Sequence, residues 1–358
     1  MNVLITAIGS GGLGEQTLKA LRLVPANKYT LFGTDVVDCY ANRELVKLWY
    51  KVPRANAPGY LDTIKETCKK SNINVLIPGS EAELKVLSNA REYFDENQIF
   101  LPINKKDLID LCMDKANLNK KLKSLGFNVP KYIETFDRTQ LETIDFYPVI
   151  VKPRTGGKGS SNVFIAQSMK QLLALADYLN VSDTSYDFIV QEYVGTPDQE
   201  FTVGILHDFN GKFIDGIALK RDLTKGLSVR SSESNLTSRK DLGESLIVSS
   251  GVSQGVMGAF PQVTGQCQEI ANALGSAGPL NIQCRFVDGK VYVFEINPRF
   301  SGTTSLRAMV GFNEPDSMIR RYYETCEVSA LTRNNNNEYV DIERVLVEKM
   351  HITESSIL

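Results

Sequence analysis

The segments Asn281-Ile282-Gln283 and Glu295-Ile296-Asn297-Pro298-Arg299 stand on either side of a turn at Asp288-Gly289 and suggest the two strands of a hairpin. Alternation along a strand puts Glu295 and Asn297 on the same face. With Gln283 on the partner strand, a carboxylate and two amides converge, and Arg299 follows the strand end. Such oxygen ligands suit Mg²⁺ between nucleotide phosphates, and arginine suits a phosphate or acyl phosphate. An ordinary hairpin with polar residues facing water is the alternative.

The length of the turn decides whether these polar side chains meet. A two-residue loop at Asp288-Gly289 would set Gln283 opposite Phe294, so that Gln283 and Glu295 point to opposite faces. A three-residue loop with Gly289 in the left-handed conformation shifts the register by one residue and brings them together. Polar and apolar residues alternate along the first strand in the order Asn281, Ile282, Gln283, Cys284, Arg285, Phe286. This alternation favours the three-residue loop, which we predict.

The composition disfavours several classes of function. The chain has 358 residues, 42% hydrophobic and 23% charged, which allows two or three soluble domains. Lys and Arg number 40 and Asp and Glu number 42, so a net charge of -2 provides no basic field for nucleic acid or an anionic membrane. The presence of only two histidines argues against a zinc site or a histidine-based triad.

The sequence also predicts a cytoplasmic protein. The apolar run at 3–8 is too short for a secretory signal, lacks a basic leader and continues into glycines. No apolar run approaches the length of a transmembrane helix. The six cysteines form no CxxC pair and are interpreted as free thiols in a reducing compartment.

Strand-like runs alternate with helical patterns through the first third of the chain. Strands are predicted at 3–8, 29–34, 75–78 and 99–102, and helices at 14–23, 61–71, 82–94 and 107–125. This alternation predicts an α/β unit with a parallel sheet. After residue 148, hairpin-connected strands and a long helix within 253–274 predict an α+β unit with an antiparallel sheet. The predicted domains are 1–112, 113–190 and 191–358.

The run Gly9-Ser10-Gly11-Gly12-Leu13-Gly14 lies between a predicted strand and a predicted helix, and Asp35 ends the next strand. It matches the G-x-G-x-x-G pattern, in which backbone N–H groups hold a dinucleotide phosphate. Taken alone, the pattern points to an NAD(P)-dependent oxidoreductase. A tight turn that needs glycine is the other explanation, and the remaining motifs indicate a different nucleotide chemistry.

A second group of residues suits the phosphates of ATP. Lys152 ends an apolar strand, where its ammonium group can reach into a cleft. A loop follows that contains Gly156, Gly157, Lys158, Gly159, Ser160 and Ser161. Its glycines let the backbone wrap phosphates, although its spacing is not that of a Walker A loop. A surface lysine and a flexible solvent loop are the alternatives.

Two further clusters suit the rest of a nucleotide and an acidic substrate. The strand end Gln191-Glu192-Tyr193-Val194 and the later Glu200 could hold an adenine base and a ribose, or could form a solvated edge. The basic residues Lys220, Arg221, Lys225 and Arg230 flank a polar loop. They could select a carboxylate substrate or bind departing phosphate, or could belong to a mobile charged loop.

Together these residues resemble the ATP-grasp superfamily. The similarity is to one ATP-grasp unit of the carbamoyl phosphate synthase large subunit and to free-standing carboxylate–amine ligases. It covers most of the chain, and the segment from Glu295 to Arg299 is its most specific part. The resemblance implies a Rossmann-like pre-ATP-grasp domain, whose glycine loop lines the substrate side. A two-lobed ATP-grasp domain follows, with a small lobe that carries the glycine-rich lid and a large lobe that carries the metal site.

The resemblance also implies cofactors and site residues. The cofactors are ATP and Mg²⁺, with two ions expected. The metal ligands are Gln283, Glu295 and Asn297, and Arg299 stabilises an acyl phosphate. The nucleotide contacts are Lys115, Lys152, the loop 156–161, Gln191, Glu192, Tyr193, Val194 and Glu200.

The implied reaction is an ATP-dependent ligation of a carboxylate to an amine through an acyl phosphate, with release of ADP and phosphate. The expected partners are these two small molecules, with no nucleic acid and no membrane, and a homodimer is expected from the resemblance only. Room for one unit, without a glutaminase-like cysteine site, predicts that the chain does not make carbamoyl phosphate alone. The alternatives are an NAD(P)-dependent oxidoreductase and a carbamoyl-phosphate-synthase-like subunit that needs a partner.

Overall fold

A computed structural model describes residues 1–9, 11–38, 40–134, 138–156, 160–181, 187–224, 226–324 and 338–340. Its first unit contains a parallel sheet in the order β3-β2-β1-β4, as predicted. The strands are β1 (Asn2–Ile5), β2 (Thr30–Asp35), β3 (Leu48–Lys51) and β4 (Val75–Ile77). The helices are α1 (Leu13–Arg22), α2 (Tyr40–Arg43), α3 (Tyr60–Lys70), α4 (Glu81–Asn89), α5 (Arg91–Glu96) and α6 (Lys106–Met113).

Several predicted boundaries in this unit are wrong. The predicted strand at 99–102 is reduced to a single bridge between Val75 and Phe100, and β3 was not predicted. The predicted helix at 107–125 is two helices, because Asp114 is extended and its side chain accepts hydrogen bonds from the first turn of α7 (Lys115–Ser124). An aspartate in this position is a good N-cap, so a helix starts there rather than continuing through it.

The second unit is a small antiparallel sheet in the order β5-β8-β6-β7. Its strands are β5 (Tyr132–Ile133), β6 (Val149–Pro153), β7 (Phe164–Ala166) and β8 (Phe188–Glu192). The helices are α8 (Arg138–Leu141) and α9 (Met169–Val181). Strands β6 and β8 pair directly, so Lys152 and Gln191 lie on neighbouring strands.

The third unit is built on a six-stranded antiparallel sheet in the order β15-β14-β9-β10-β13-β16. Its strands are β9 (Glu200–His207), β10 (Phe213–Arg221), β13 (Gly255–Gly258), β14 (Pro279–Val287), β15 (Lys290–Asn297) and β16 (Glu338–Val340). Strands β11 (Val229–Ser234) and β12 (Ser245–Ser249) form a separate pair. The helices are α10 (Pro261–Ala273), α11 (Thr304–Met309) and α12 (Glu314–Tyr323).

The long helix predicted within 253–274 is confirmed as α10, and the residues before it were not predicted to form a strand. Residues 255–258 form β13, which pairs with β10 so that Met257 lies opposite Leu219. Gly255 has a φ of +144°, and a Cβ there would lie 2.0 Å from the Lys220 carbonyl oxygen. Only glycine allows the strand to enter the sheet so closely.

In the hairpin of β14 and β15, Gln283 and Glu295 lie on the same face as predicted, but the turn is not the predicted three-residue loop. Val287 pairs with Lys290, so the loop has two residues, Asp288 and Gly289, both with positive φ. This geometry matches the right-handed twist of the strands. The register then shifts by one at Phe294, which forms a bulge, and Gln283 lies directly opposite Glu295.

The first unit and the large sheet share one apolar core. Buried side chains of β1 and α1 pack with those of β10 and α11, including Ile5, Leu18, Leu219 and Leu306. This packing holds the glycine loop before α1 opposite the hairpin. None of the helices in the described ranges is both long and apolar enough to span a membrane.

Candidate active site

Two cavities meet at the polar face of the hairpin. The first, the hinge cavity, spans about 670 Å³ including its part open to solvent, and is lined by the strand end 191–194, Lys152 and Glu200. The second, the wide cleft, spans about 2320 Å³ including its part open to solvent, and separates the hairpin from the first unit. Gln283 and Glu295 line both cavities. The hairpin therefore forms a wall that two different ligands could share.

The predicted metal ligands are brought together on this wall. Gln283 pairs with Glu295, and Asn281 pairs with Asn297 one step along the ladder. In the described ranges, no three His, Cys, Asp or Glu residues gather into a metal site. A single carboxylate with amide oxygens fits Mg²⁺, which takes its remaining ligands from phosphates and water.

Lys152 is buried at the inner end of the hinge cavity. Its Nζ donates to Gln191 Oε1 at 2.7 Å and to the carbonyl oxygen of the bulge residue Phe294 at 2.8 Å. Burial, and then the nearby charge of Lys115, lower the pKa of Lys152 from 10.5 to about 7. Lys115 itself donates to the Gly156 carbonyl at 3.0 Å, at the start of the predicted lid.

The low pKa of Lys152 predicts proton uptake when a nucleotide binds. Phosphate favours the ammonium form and raises the pKa in the complex, so at pH 8 binding should take up a proton, and affinity should fall as the pH rises above about 7. Calorimetry of Mg-ADP binding at pH 8, in two buffers of different ionisation enthalpy, measures this uptake. Equal heats in both buffers would contradict the prediction, and Lys152→Met should remove the uptake.

Arg285 links the strand end 191–194 to Glu200 and was not predicted as a site residue. Its guanidinium donates to the carbonyls of Val194 and Gly195 at 3.1 and 3.0 Å and to Tyr193 Oη at 3.0 Å. It also pairs with Glu200 at 3.2 Å. Alternation on β14 places Arg285 on the polar face with Gln283, and this was the only sequence signal for it.

The residues of the predicted lid are only partly described. Gly157, Lys158 and Gly159 lie outside the described residues, and Ser161 is half-buried. Gly156 has a φ of +71°. Ser160 lines both cavities, and its Oγ donates to the Ser249 carbonyl oxygen at 2.6 Å.

The predicted basic cluster is not brought together. Arg221 lines the wide cleft, donates to the carbonyls of Ser250 and Val252, and lies 3.5 Å from Glu200 Oε1. Lys220, its neighbour on β10, points to the opposite face because side chains alternate along a strand. Arg230 is exposed and outside both cavities, and Lys225 lies outside the described residues.

Arg299 and Glu81 form an ion pair across the wide cleft. Arg299 Nη2 donates to Glu81 Oε1 at 2.7 Å, and both residues line the cleft. Glu81 begins α4, which belongs to the first unit. The pair joins the two walls of the cleft directly beside the hairpin.

The N-terminal glycine loop also lines the wide cleft, on the wall facing the hairpin. Its backbone donors are partly engaged within the chain. Gly9 N–H donates to Asp35 Oδ2 and Gly11 N–H donates to Glu15 Oε2, both at 2.8 Å. Asp35 Oδ1 accepts from the Val37 amide, so this carboxylate is bonded to backbone where a dinucleotide ribose would need it.

Two family models match separate parts of the chain. Residues 4–101 match the family described as PylC-like, N-terminal domain. Residues 248–345 match the family described as ATP-grasp in the biosynthetic pathway with Ter operon. The carbamoyl phosphate synthase large chain of Mycobacterium sp. (strain JLS) is 27% identical over 201 residues, which are 54% of this chain and 16% of that protein. The chain therefore matches only a small part of this relative.

Two solved structures share the fold. The L-amino acid ligase from Bacillus licheniformis has a TM-score of 0.63 at 18% identity, covering 89% of this chain and 73% of the ligase. The biotin carboxylase domain of 2-oxoglutarate carboxylase from Hydrogenobacter thermophilus, solved with MgADP and bicarbonate, has a TM-score of 0.62 at 15% identity, covering 93% and 72%. The family match at residues 248–345 and the fold shared with these ligases both support an ATP-grasp superfamily protein.

Proposed function

We propose that the protein is an ATP- and Mg²⁺-dependent ligase that joins a carboxylate to an amine through an acyl phosphate. The observation that best supports this is that Gln283 and Glu295 line both cavities. A nucleotide in the hinge cavity would present its γ-phosphate at this shared wall, where an acid in the wide cleft can attack it. Similarity to an L-amino acid ligase supports the same class of reaction.

In this proposal the nucleotide is held by residues around the hinge cavity. The strand end 191–194 would contact the adenine, and Glu200 the ribose. Lys152 and Lys115 would offset phosphate charge, which matters because phosphoryl transfer depends on positioning and electrostatics. The serines and glycines of 156–161 would cover the phosphates and keep water from the acyl phosphate.

The hairpin would carry out the chemistry at the other end of the nucleotide. Gln283, Glu295 and Asn297 would hold Mg²⁺, which when bound neutralises charge on the transferring phosphoryl group. Arg299 would hold the acyl phosphate and Arg221 would support the wall of the acid site. The amine attacks the acyl carbon, the bond to the phosphate oxygen breaks, and phosphate leaves with ADP already formed.

Arg299→Ala is expected to reduce acyl transfer far more than nucleotide binding, because Arg299 lines the wide cleft and not the hinge cavity. Product formation should fall about 100-fold or more, as expected for loss of a charged group that stabilises the reacting centre. Mg-ADP affinity, measured by calorimetry, should stay close to wild type. A collapse of nucleotide affinity would contradict this role, and the half-exposed Arg320→Ala serves as the control.

The first experiment measures ADP release from Mg-ATP with pooled amino acids and small dicarboxylates, with mass spectrometry of the products. A new mass equal to acid plus amine minus water, matched by ADP, would establish the ligase and name both substrates. A second candidate acid is bicarbonate, since the similar biotin carboxylase domain was solved with bicarbonate. ADP release that requires bicarbonate and no other acid would favour it. No nucleotide binding at all would overturn the proposal.

A further inference from the structure

A fully buried ion pair lies directly beneath the polar face of the hairpin. Arg307 of α11 and Glu314 of α12 are both 0% exposed. Arg307 Nη1 lies 3.1 and 3.2 Å from the two oxygens of Glu314, and Thr304 Oγ1 donates to Glu314 Oε2. Burying two charges costs desolvation energy that their attraction seldom exceeds, so stability alone does not explain such a pair.

The large sheet has a glycine, Gly204, where this arginine packs against it. Gly204 lies in the middle of β9, opposite Asn281 of β14. A Cβ at position 204 would lie 2.4 Å from Arg307 Nη1 and 2.7 Å from Cζ. Glycine inside a central strand weakens the strand and marks a close approach by another group. Here the approaching group is the guanidinium of Arg307.

The second arm of Arg307 determines which way the Asn281 side chain points. Arg307 Nη2 donates to Asn281 Oδ1 at 2.6 Å. Arginine has five N–H donors and no acceptor, so the oxygen of the amide must face Arg307 and its NH₂ group must face away. Asn281 lines the wide cleft beside Asn297. No residue in the ranges that the structure describes accepts a hydrogen bond from its Nδ2.

We infer that Asn281 is a hydrogen-bond donor to the acid substrate. Arg307 is the positioning residue that fixes the orientation of the Asn281 amide, and Glu314 holds Arg307 in place through the buried ion pair. This inference rests on the proposed function. Asn281 then differs in role from its partner Asn297. The oxygen of Asn281 already accepts from Arg307, so the group that its side chain presents to the cleft is the NH₂, which cannot bind a metal. The NH₂ group faces an oxygen of the carboxylate, or of the acyl phosphate formed from it.

The test uses the full chain with Mg-ATP, the acid pools named above and hydroxylamine, which captures an acyl phosphate as a hydroxamate. Hydroxamate formation by the wild type tests the proposed function independently of any variant. Asn281→Ala and Asn281→Asp should both raise the KM for the selected acid about 10- to 100-fold, the loss expected for one hydrogen bond to a charged group. The KM for Mg-ATP should stay within about twofold of wild type in both.

A second variant tests Arg307 without leaving a buried charge unpaired. Arg307→Met combined with Glu314→Gln removes both charges and keeps an acceptor for Thr304, so the fold should survive. The amide of Asn281 can then turn either way, and the KM for the acid should rise. Adding Asn281→Ala to this variant should raise the KM by less than it does in the wild type, because both changes weaken the same hydrogen bond. The exposed pair Arg138 and Glu142, changed to Met and Gln, is the control.

The outcomes separate the two claims. If the wild type forms hydroxamate but Asn281→Ala leaves the KM for the acid unchanged, the inference is overturned and the proposed function stands. If Asn281→Asp binds Mg²⁺ more tightly and keeps a normal KM for the acid, Asn281 is a metal ligand and the inference fails. If the Arg307 and Glu314 changes lower only thermal stability, Arg307 is structural. If the wild type forms no hydroxamate with any acid, the proposed function and the inference fail together.

Discussion

Glu295→Gln is expected to reduce ATP turnover at least about 1,000-fold, in line with the loss of a charged group that holds a catalytic metal. Glu295 is the carboxylate on the hairpin face that both cavities share, and its partner across the ladder is the neutral Gln283. Replacing it with glutamine keeps the size of the side chain and removes the charge. Mg²⁺ would then be held by neutral oxygens and by the nucleotide alone.

The measurement is ADP release from Mg-ATP with the selected acid, together with circular dichroism and thermal unfolding. Because Glu295 is half-buried and the substitution is nearly isosteric, the fold should be retained. Glu269→Gln makes the same change on the exposed side of α10 and should leave turnover unchanged. Near-normal turnover by Glu295→Gln would contradict the role of Glu295 as a ligand of Mg²⁺.

Arg285→Met is expected to lower the free energy of unfolding by about 3–5 kcal/mol, because it leaves the buried Glu200 without the nearer of its two arginines. It also removes the donors to the Val194 and Gly195 carbonyls. The strand end 191–194 should then lose its fixed position beside the hinge cavity, so the affinity for Mg-ADP should fall as well. Urea unfolding and calorimetry measure the two effects separately.

Two further variants make this result interpretable. Arg138→Met removes an arginine that is 57% exposed and should change stability by less than about 1 kcal/mol. Adding Glu200→Gln to Arg285→Met leaves the buried Arg221 without its carboxylate and should lower the stability further, without restoring nucleotide affinity. If Arg285→Met is as stable as wild type, the pairing with Glu200 contributes no net stability.

The sequence predicted correctly that Gln283 and Glu295 lie on the same face of the hairpin, but it did not predict the turn. Alternating polar residues on β14 required Gln283 and Glu295 to meet, which the register confirms. The local preference of Asp288-Gly289 for a two-residue loop was correct, and the missing one-residue shift came from the bulge at Phe294. The carbonyl of that bulge accepts from Lys152 of another sheet, a contact that no local pattern reveals.

The same limit explains why the sequence did not reveal two buried arginines next to the cavities. Arg285 and Arg307 look like surface residues in the sequence, because arginine is rarely buried without a partner. Their partners, Glu200 and Glu314, are brought to them by tertiary packing. Conversely, Lys220, Arg221 and Arg230 are close in sequence, but strand alternation and exposure separate them.

The space left by Gly204 has a consequence for the evolution of related chains. Because a Cβ at 204 and the guanidinium of Arg307 cannot occupy the same volume, the two positions should change together. Relatives with a larger residue at the position of Gly204 should lack the arginine, and those with the arginine should keep the glycine. An alignment could use this covarying pair to separate relatives that keep the buried arginine beneath the hairpin from those that share only the architecture.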